Sequence, residues 1–377
     1  MKAIFVIAGN GFPQYQAQTL MFPLLKYKRE LKQKYDFTFE VAEIHRDMDP
    51  TDLHVMARTI SSYDAVFVQG RPFKVHGEPF TREYILEFLN AISATKVFFD
   101  DGDSSCHLDE KVMEKVDVYL KRQVLKERSD YGTSHLERTP WSDCFVRLYD
   151  YHGPIMQSPA VSDSDVDKLH LGWNIGLGRD TYQLLMKRHW WGIFKDNGRS
   201  IDVHLRARIH GDFETRAWIH EHRKSMYDKV HELQVKHNVV SSDMRVPLAH
   251  YRKELQNSAI ALSPFGWGEI SRNDFEIIIA ECLLMKPSLA HLRTEPNIFV
   301  EYETYVPLEW DLSDLQEKCE YYLSHPEERE RIAKAAKRRY VEYYSNKLFI
   351  RRFGEIVNRL CLLTEAGSRP TTRNEVP

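Results

Sequence analysis

The chain is poor in cysteine. Its 377 residues hold five (Cys106, Cys144, Cys282, Cys319 and Cys361), an odd number, widely spaced and never as C-x-x-C. That pattern excludes a disulfide framework and a zinc knuckle, and it fits a reducing, cytoplasmic setting. Long apolar runs are lacking too, and no stretch approaches the roughly eighteen apolar residues of a membrane span. The opening run from Met1 to Ala8 ends in a glycine loop at Gly9 and not at a small-residue cleavage site, so it reads as a first strand instead of a signal peptide. There is no basic excess: 52 Lys and Arg stand against 55 Asp and Glu, a formal net charge of -3. Wholesale nucleic-acid binding, which needs a basic face to displace counterions, is therefore not expected. What is present is globular composition, 42% hydrophobic and 12% aromatic, on a chain long enough for two cores.

Apolar runs that fit buried parallel strands recur in the first half at Ala3 to Ala8, Phe37 to Val41, Ala65 to Val68 and Lys96 to Phe99. Helical spacing separates them at Phe22 to Lys34 and Thr81 to Ala91, so a doubly wound sheet is expected. Polar loops follow the strands at Gly9-Asn10-Gly11, Gln69 to Pro72 and Asp100 to Ser105, and ligands of open α/β sheets sit at such carboxyl ends. After an irregular stretch from about Leu125 to Asp167 and a connector at Leu169 to Gly178 a second series opens. It runs through a strand at Ile201 to Arg208, a helix from about Glu214 to Lys236, a strand near Val239, a helix from Leu248 to Asn257 and a strand at Ala259. A strand at Tyr305 to Leu308 follows, then helix capped by Asp311 or Ser313 and running toward Tyr344 with a break near His325-Pro326, and a last helix at Leu348 to Leu363. The expected units are residues 1–180, 181–345, a crossover helix at 346–363 and a disordered tail at 364–377.

The most informative segment is Ala259 to Leu289. A short apolar strand breaks at Pro264 into Phe265-Gly266-Trp267-Gly268-Glu269-Ile270-Ser271-Arg272-Asn273, and a buried helix is expected from Asp274 to Met285. Glycines let a backbone approach a ligand, and the unpaired N–H groups of a helix start favour phosphate charge. Arg272 could fork onto a diphosphate, and Glu276, a carboxylate inside an apolar helix, could accept from both hydroxyls of a ribose. The chemistry indicated is use of a nucleotide-activated sugar. A cap or a salt bridge is the plainer role for Glu276.

Residues from about Ile201 to Ser345 resemble the C-terminal donor domain of GT-B glycosyltransferases of the broad bacterial group 1 class, which includes the spore-coat-associated CgeB-like branch. The resemblance is carried by Ser263-Pro264-Phe265-Gly266, Ser271-Arg272-Asn273-Asp274-Phe275-Glu276, Ala280 to Met285, Leu312-Ser313-Asp314-Leu315, His325-Pro326-Glu327-Glu328-Arg329 and Tyr343-Tyr344-Ser345. It implies two Rossmann-like domains facing a cleft, with C-terminal helices packed across them. It also implies a ribose-holding role for Glu276 and a diphosphate- and sugar-facing loop comprising Gly266, Gly268, Glu269, Ser271, Arg272 and Asn273. Retaining members place seven residues between two carboxylates, whereas Glu269 and Glu276 have six between them and Gly268 stands at the expected spacing. Arg206, Arg208 and His210 fall where many such enzymes set cations against the leaving diphosphate, in place of a metal. Asn10 and Gly11 fall in the first strand-to-helix turn, which in this fold approaches the donor sugar.

Asp100-Asp101-Gly102-Asp103 is the rival signal, because Asp-x-Asp after a buried strand also describes metal-dependent GT-A transferases and aspartate-nucleophile phosphatases, where it could hold Mg²⁺ or Mn²⁺. In the GT-B reading the same loop faces the cleft, and Asp101, Asp103 or His107 could serve as base toward an acceptor hydroxyl. His220-Glu221-His222 reads as part of a solvated helix face. Lys337-Arg338-Arg339 and Arg351-Arg352 are either solvated cations on packing helices or a contact for anionic lipid. The expectation is a metal-independent transferase that moves a sugar from a nucleoside diphosphate to a glycan or lipid-linked acceptor, with no cofactor. A non-catalytic nucleotide- or glycan-binding protein on the same fold is the alternative.

Overall fold

The computed structural model describes residues 1–11, 14–73, 82–136, 139–152, 157–187, 198–209 and 217–367. The first half contains β1 (Lys2–Ala8), α1 (Gln14–Lys26), α2 (Lys28–Tyr35), β2 (Thr38–Ile44), α3 (Pro50–Ile60), β3 (Ala65–Gln69), α4 (Arg82–Ala91), β4 (Thr95–Asp100), α5 (Glu110–Met113), β5 (Val118–Lys121), β6 (Gln123–Leu125), β7 (His135–Leu136), α6 (Pro140–Leu148), β8 (Gln157–Ser158), α7 (Asp163–Val166), β9 (Leu169–Leu171) and α8 (Arg179–Met186). The second half contains β10 (Ile201–Leu205), α9 (Ala217–Leu233), β11 (Val239–Ser241), α10 (Leu248–Asn257), β12 (Ser258–Leu262), α11 (Arg272–Ile279), β13 (Leu283–Pro287), β14 (Leu292–Thr294), β15 (Val306–Leu308), α12 (Leu315–Ser324), α13 (Pro326–Ser345) and α14 (Leu348–Gly367).

Two parallel sheets result, in the orders β2-β1-β3-β4-β5-β9 and β11-β10-β12-β13-β15. β1 is apolar on both faces because it lies inside its sheet, pairing in parallel with β2 from Lys2↔Thr38 and with β3 from Ala3↔Ala65. β12 is equally buried between β10 and β13, with Ile260 beside both Val203 and Leu283.

Two expected helices take a different form. The segment at Phe22 to Lys34 is the end of α1 and all of α2, divided at Tyr27, and α1 begins earlier, at Gln14. The apolar run after Asp274 is not one helix: α11 stops at Ile279, Glu281 adopts a left-handed φ of 51°, and Leu283 starts β13. An all-apolar segment hides this boundary, since buried helix and buried strand look alike without a polar face. The ending is fixed from afar, because Arg199 donates to the carbonyls of Ala280 and Glu281 at 3.2 and 2.6 Å. Helix α12 likewise starts at Leu315 behind Asp314, whereas the Asp311 carboxylate accepts from the Ser313 amide.

The two sheets share packing. One continuous core runs from β1 through Phe275 and Ile277 of α11 to α14. There Phe353 lies 5.0 Å from the Phe37 ring and 6.2 Å from the Phe67 ring of the first sheet. β6 and β14 form a small antiparallel ladder between the halves, Leu125↔Leu292 to Gln123↔Thr294. Gly176 lies where a Cβ would overlap the Phe275 ring, so the connector after β9 packs directly under α11. No helix among the described residues is long and apolar enough to cross a membrane.

Candidate functional site

The loop from Ser263 to Ser271 is held by a buried ion pair. Asp274 and Lys286 are both fully buried and lie 2.6 Å apart. The Asp274 carboxylate also accepts from the Ser263 hydroxyl at 2.6 Å and the Ser271 amide at 2.8 Å, while Lys286 donates to the Glu269 carbonyl at 2.6 Å. A buried charge is tolerated only when its lone pairs or protons are matched in this way. Ser271 is thus the N-cap residue of α11, and its neighbours Arg272 and Asn273 project at the helix start.

Beside that helix start lies a cavity of ≈ 660 Å³ whose wall includes Arg206, Arg208, Tyr251, Arg272, Asn273 and Glu276. Glu276 is 4% exposed, and one of its oxygens meets Arg252 at 3.0 Å and Arg272 at 3.4 Å. Arg272 also reaches across the molecule, to Asp180 at 3.5 Å and over the Tyr15 ring at 5.5 Å. Arg206 is clamped at the other wall: it donates to both oxygens of Glu254 at 2.6 and 2.7 Å and to the Met244 carbonyl at 3.0 Å. His204 and His250 complete the surroundings of Glu254 at 3.1 and 3.0 Å. Burial opposes ionisation of Glu254, but the bonds from Arg206 and His204 outweigh it and push its pKa down to about 2. The result is a concave wall with fixed positive groups around one recessed carboxylate.

Five expected residues therefore meet at one cavity: Arg206, Arg208, Arg272, Asn273 and Glu276. His210 lies outside the described residues. Gly268 is pressed against the first half of the chain, where a Cβ would fall on the Asp103 carbonyl, and at Gly266 a Cβ would lie 2.9 Å from Arg223. Glu269 is fully buried at the same seam. It accepts from the Ser105 hydroxyl at 2.6 Å and lies 3.8 Å from His291 Nε2. Burial raises its carboxyl pKa, but His291 and Ser105 together hold it below the usual range.

The first-sheet loops use their polar groups internally. Asp100 is an ion-pair partner of Lys121 at 3.0 Å, both 1% exposed, and accepts from the Tyr119 hydroxyl at 2.6 Å and the Gly102 amide at 2.8 Å. Asp101 accepts from Gln69 at 2.8 Å, and Gln69 in turn accepts from the Ala8 amide. Asp103, with a side chain 53% exposed, pairs with Arg122 at 3.2 Å, and the His107 carbonyl accepts from Lys121. Asn10 is exposed and joined through its backbone to His45 and Arg46; Gly11, at φ +86°, has Arg46 where a Cβ would stand. Among the described residues no three His, Cys, Asp or Glu side chains gather as a metal site.

One expectation fails outright. His222 is fully buried, not solvated: its ring lies 4.3 Å from Phe145 and 6.2 Å from Trp141 of α6, and 6.3 Å from Phe265 of the glycine loop. Neither ring nitrogen has a hydrogen-bond partner among the described residues, and burial pushes its pKa down to about 3. Cations of the C-terminal helices are also used within the fold, Lys337 on Glu281, Arg339 on the Asn297 carbonyl and Arg352 on Glu355. Arg252 and Glu254 were not foreseen. They lie two apart on α10, and no local spacing links Arg252 to a carboxylate 24 residues on.

Residues 195–353 match the model of a family described as glycosyl transferase-like. No curated protein sequence matches the chain. Among solved structures, an alpha-glucosyltransferase in complex with UDP and a 13-mer DNA containing a central A:G mismatch superimposes at TM-score 0.51 and 9% identity, covering 95% of this chain and 100% of that one. A glycosyltransferase from Rickettsia africae ESF-5 gives 0.50 at 11% identity, with 96% and 98% covered. An alpha,alpha-trehalose 6-phosphate synthase from Burkholderia multivorans gives 0.50 at 10% identity, with 99% and 100% covered. At such identities the likeness is one of fold. The chain thus shares the two-domain GT-B fold of these structures along its whole length, and residues 195–353 carry the likeness to the glycosyl transferase-like family.

Proposed function

We propose that the protein transfers a sugar from a nucleoside diphosphate sugar to an acceptor hydroxyl, in the assembly of a surface glycan and without a metal ion. The observation that carries this reading is Glu276, a buried carboxylate at a cavity whose wall also carries Arg206, Arg208, Arg245 and Arg272. A ribose would hydrogen-bond to Glu276. The diphosphate would lie against Arg272, Arg208 and the amide end of α11, where helix-dipole charge adds to the guanidinium groups. In the reaction the acceptor oxygen bonds to the anomeric carbon as the bond from that carbon to the diphosphate breaks, and the electron pair leaves on the phosphate oxygen. Fixed cations stabilise that charge in the transition state more than in the ground state. Asp103 is the best-placed proton acceptor of the first-sheet loops, since its backbone touches Gly268 and its carboxylate reaches solvent.

The test is a screen of UDP-, GDP-, CMP- and dTDP-sugars, reading thermal stabilisation and slow nucleotide release with and without EDTA. One nucleotide class should stabilise the protein, release should survive EDTA, and Glu276→Ala should abolish both effects while the circular dichroism spectrum is unchanged. Unaltered nucleotide binding by Glu276→Ala would sink the assignment of the site. Stabilisation without release under any acceptor would instead support a binding protein, and loss of release in EDTA would restore the Asp-x-Asp alternative.

A further inference from the structure

Farther along the same sheet edge from Glu276, the loops leaving β13 and β15 meet α6 around a second cavity, ≈ 680 Å³ in volume. Trp310 forms one wall. Its Nε1 donates to the Ser288 carbonyl at 3.2 Å, and its ring stands edge-on to His291, with centroids 5.3 Å apart. Across the gap α6 contributes Cys144 and Leu148, the latter 47% exposed. Glu309 and Asp311 lie exposed at the rim, and the Ser313 amide fixes the Asp311 carboxylate at 2.9 Å. Neither ring nitrogen of His291 has a hydrogen-bond partner among the described residues, and Nε2 lies 3.8 Å from the buried Glu269.

We infer that this cavity binds the acceptor, and that the acceptor is a saccharide; the inference rests on the transferase reading. A pyranose ring has apolar C–H faces and a belt of hydroxyls that both donate and accept. It is recognised by a flat apolar wall with charged acceptors at its edge. Trp310 and Leu148 supply the wall, and Glu309 and Asp311 supply the edge. The two carboxylates disfavour a phosphorylated ligand here, just as the arginines favour one at Glu276. Position agrees with this division. Neighbouring strands lie about 4.8 Å apart, and the order β10-β12-β13-β15 sets the second cavity two to three strands from the first, on the order of 10–15 Å away. That span suits a nucleotide sugar laid from ribose to sugar, with Glu269 and His291 at its sugar end.

The test titrates the full-length protein, saturated with UDP, with trisaccharides of glucose, galactose and N-acetylglucosamine, followed by calorimetry and ligand-observed NMR. At least one should bind. Trp310→Ala should weaken it about tenfold and Asp311→Asn about threefold, with UDP affinity unchanged in both. A protein that binds UDP but none of the saccharides overturns the inference, as does saccharide binding indifferent to both variants. If Trp310→Ala does not fold, the exposed Asp311 decides alone. Failure to bind any nucleotide, with saccharide binding still sensitive to Trp310, would count against the donor site and for this one.

Discussion

The carboxyl ends of the two sheets carry similar residues to different ends. At the first sheet Asp100, Asp101 and Asn10 are tied to Lys121, Gln69 and the His45–Arg46 turn, so their polar groups fasten loops. At the second sheet Glu276, Arg272, Arg206 and Arg208 surround open space, and the clamps on them come from behind, from Arg252 and Glu254 of α10. Similar chemistry at equivalent topological positions thus ties loops in one place and lines a cavity in the other. The charges are paired within the chain at both edges, and what differs is that those of the second sheet also line open space.

The largest effect should come from Asp100→Asn. It strands the Lys121 charge, which is 1% exposed, and should cost about 3–5 kcal/mol in urea unfolding. A cost below about 1 kcal/mol together with lost turnover would make the first-sheet edge a site and end the contrast.

Next is the seam between the halves, probed by His222→Phe. The folded-state pKa of about 3 lies below the ~6.5 of an unfolded histidine, so between these values the unfolded chain binds the extra proton. Stability is therefore full above about pH 6.5 and declines as pH falls toward 3, by about 2 kcal/mol at pH 5. His222→Phe should flatten that decline, raising the melting temperature at pH 5 more than at pH 7.5. Equal pH dependence in both proteins would show that His222 is not what the acid attacks.

Arg252→Met sharpens the second-sheet side. With the clamp at 3.0 Å removed, Glu276 loses its orientation, and affinity for the nucleotide found in the screen should fall about three- to tenfold, while stability falls less than in Asp100→Asn because Arg272 still pairs with Glu276 at 3.4 Å. An unchanged affinity would show that Arg272 alone holds the carboxylate. Asn10→Ala is expected to do least: its exposed side chain should contribute under about 0.5 kcal/mol to stability and less than about threefold to binding of the nucleotide found in the screen. A larger loss of binding would bring the first sheet into the donor site.

The alternation of apolar runs with helical spacing was enough to read two doubly wound units, because buried parallel strands must be apolar on both faces. Glu276 stood out for the opposite reason, as a carboxylate set directly against the apolar run Ile277-Ile278-Ile279. The end of α11 was not legible. Its signal lies in a left-handed Glu281 and in carbonyls capped by Arg199, some 80 residues earlier. His222 was misread because a histidine between polar neighbours on a helix looks solvated until α6 is laid over it. Trp310 passed unnoticed as a wall because the cavity it bounds needs α6 from the other half of the chain.

By itself, then, the sequence determined the α/β alternation, the near balance of 52 basic and 55 acidic residues, and the glycine loop with its acidic helix, all of which follow from periodicity and composition. The tertiary structure decided which charges are spent inside the fold and which face a cavity. Pairing and burial depend on segments far apart in the chain that meet only once the two sheets share a core, and local pattern carries no record of that meeting.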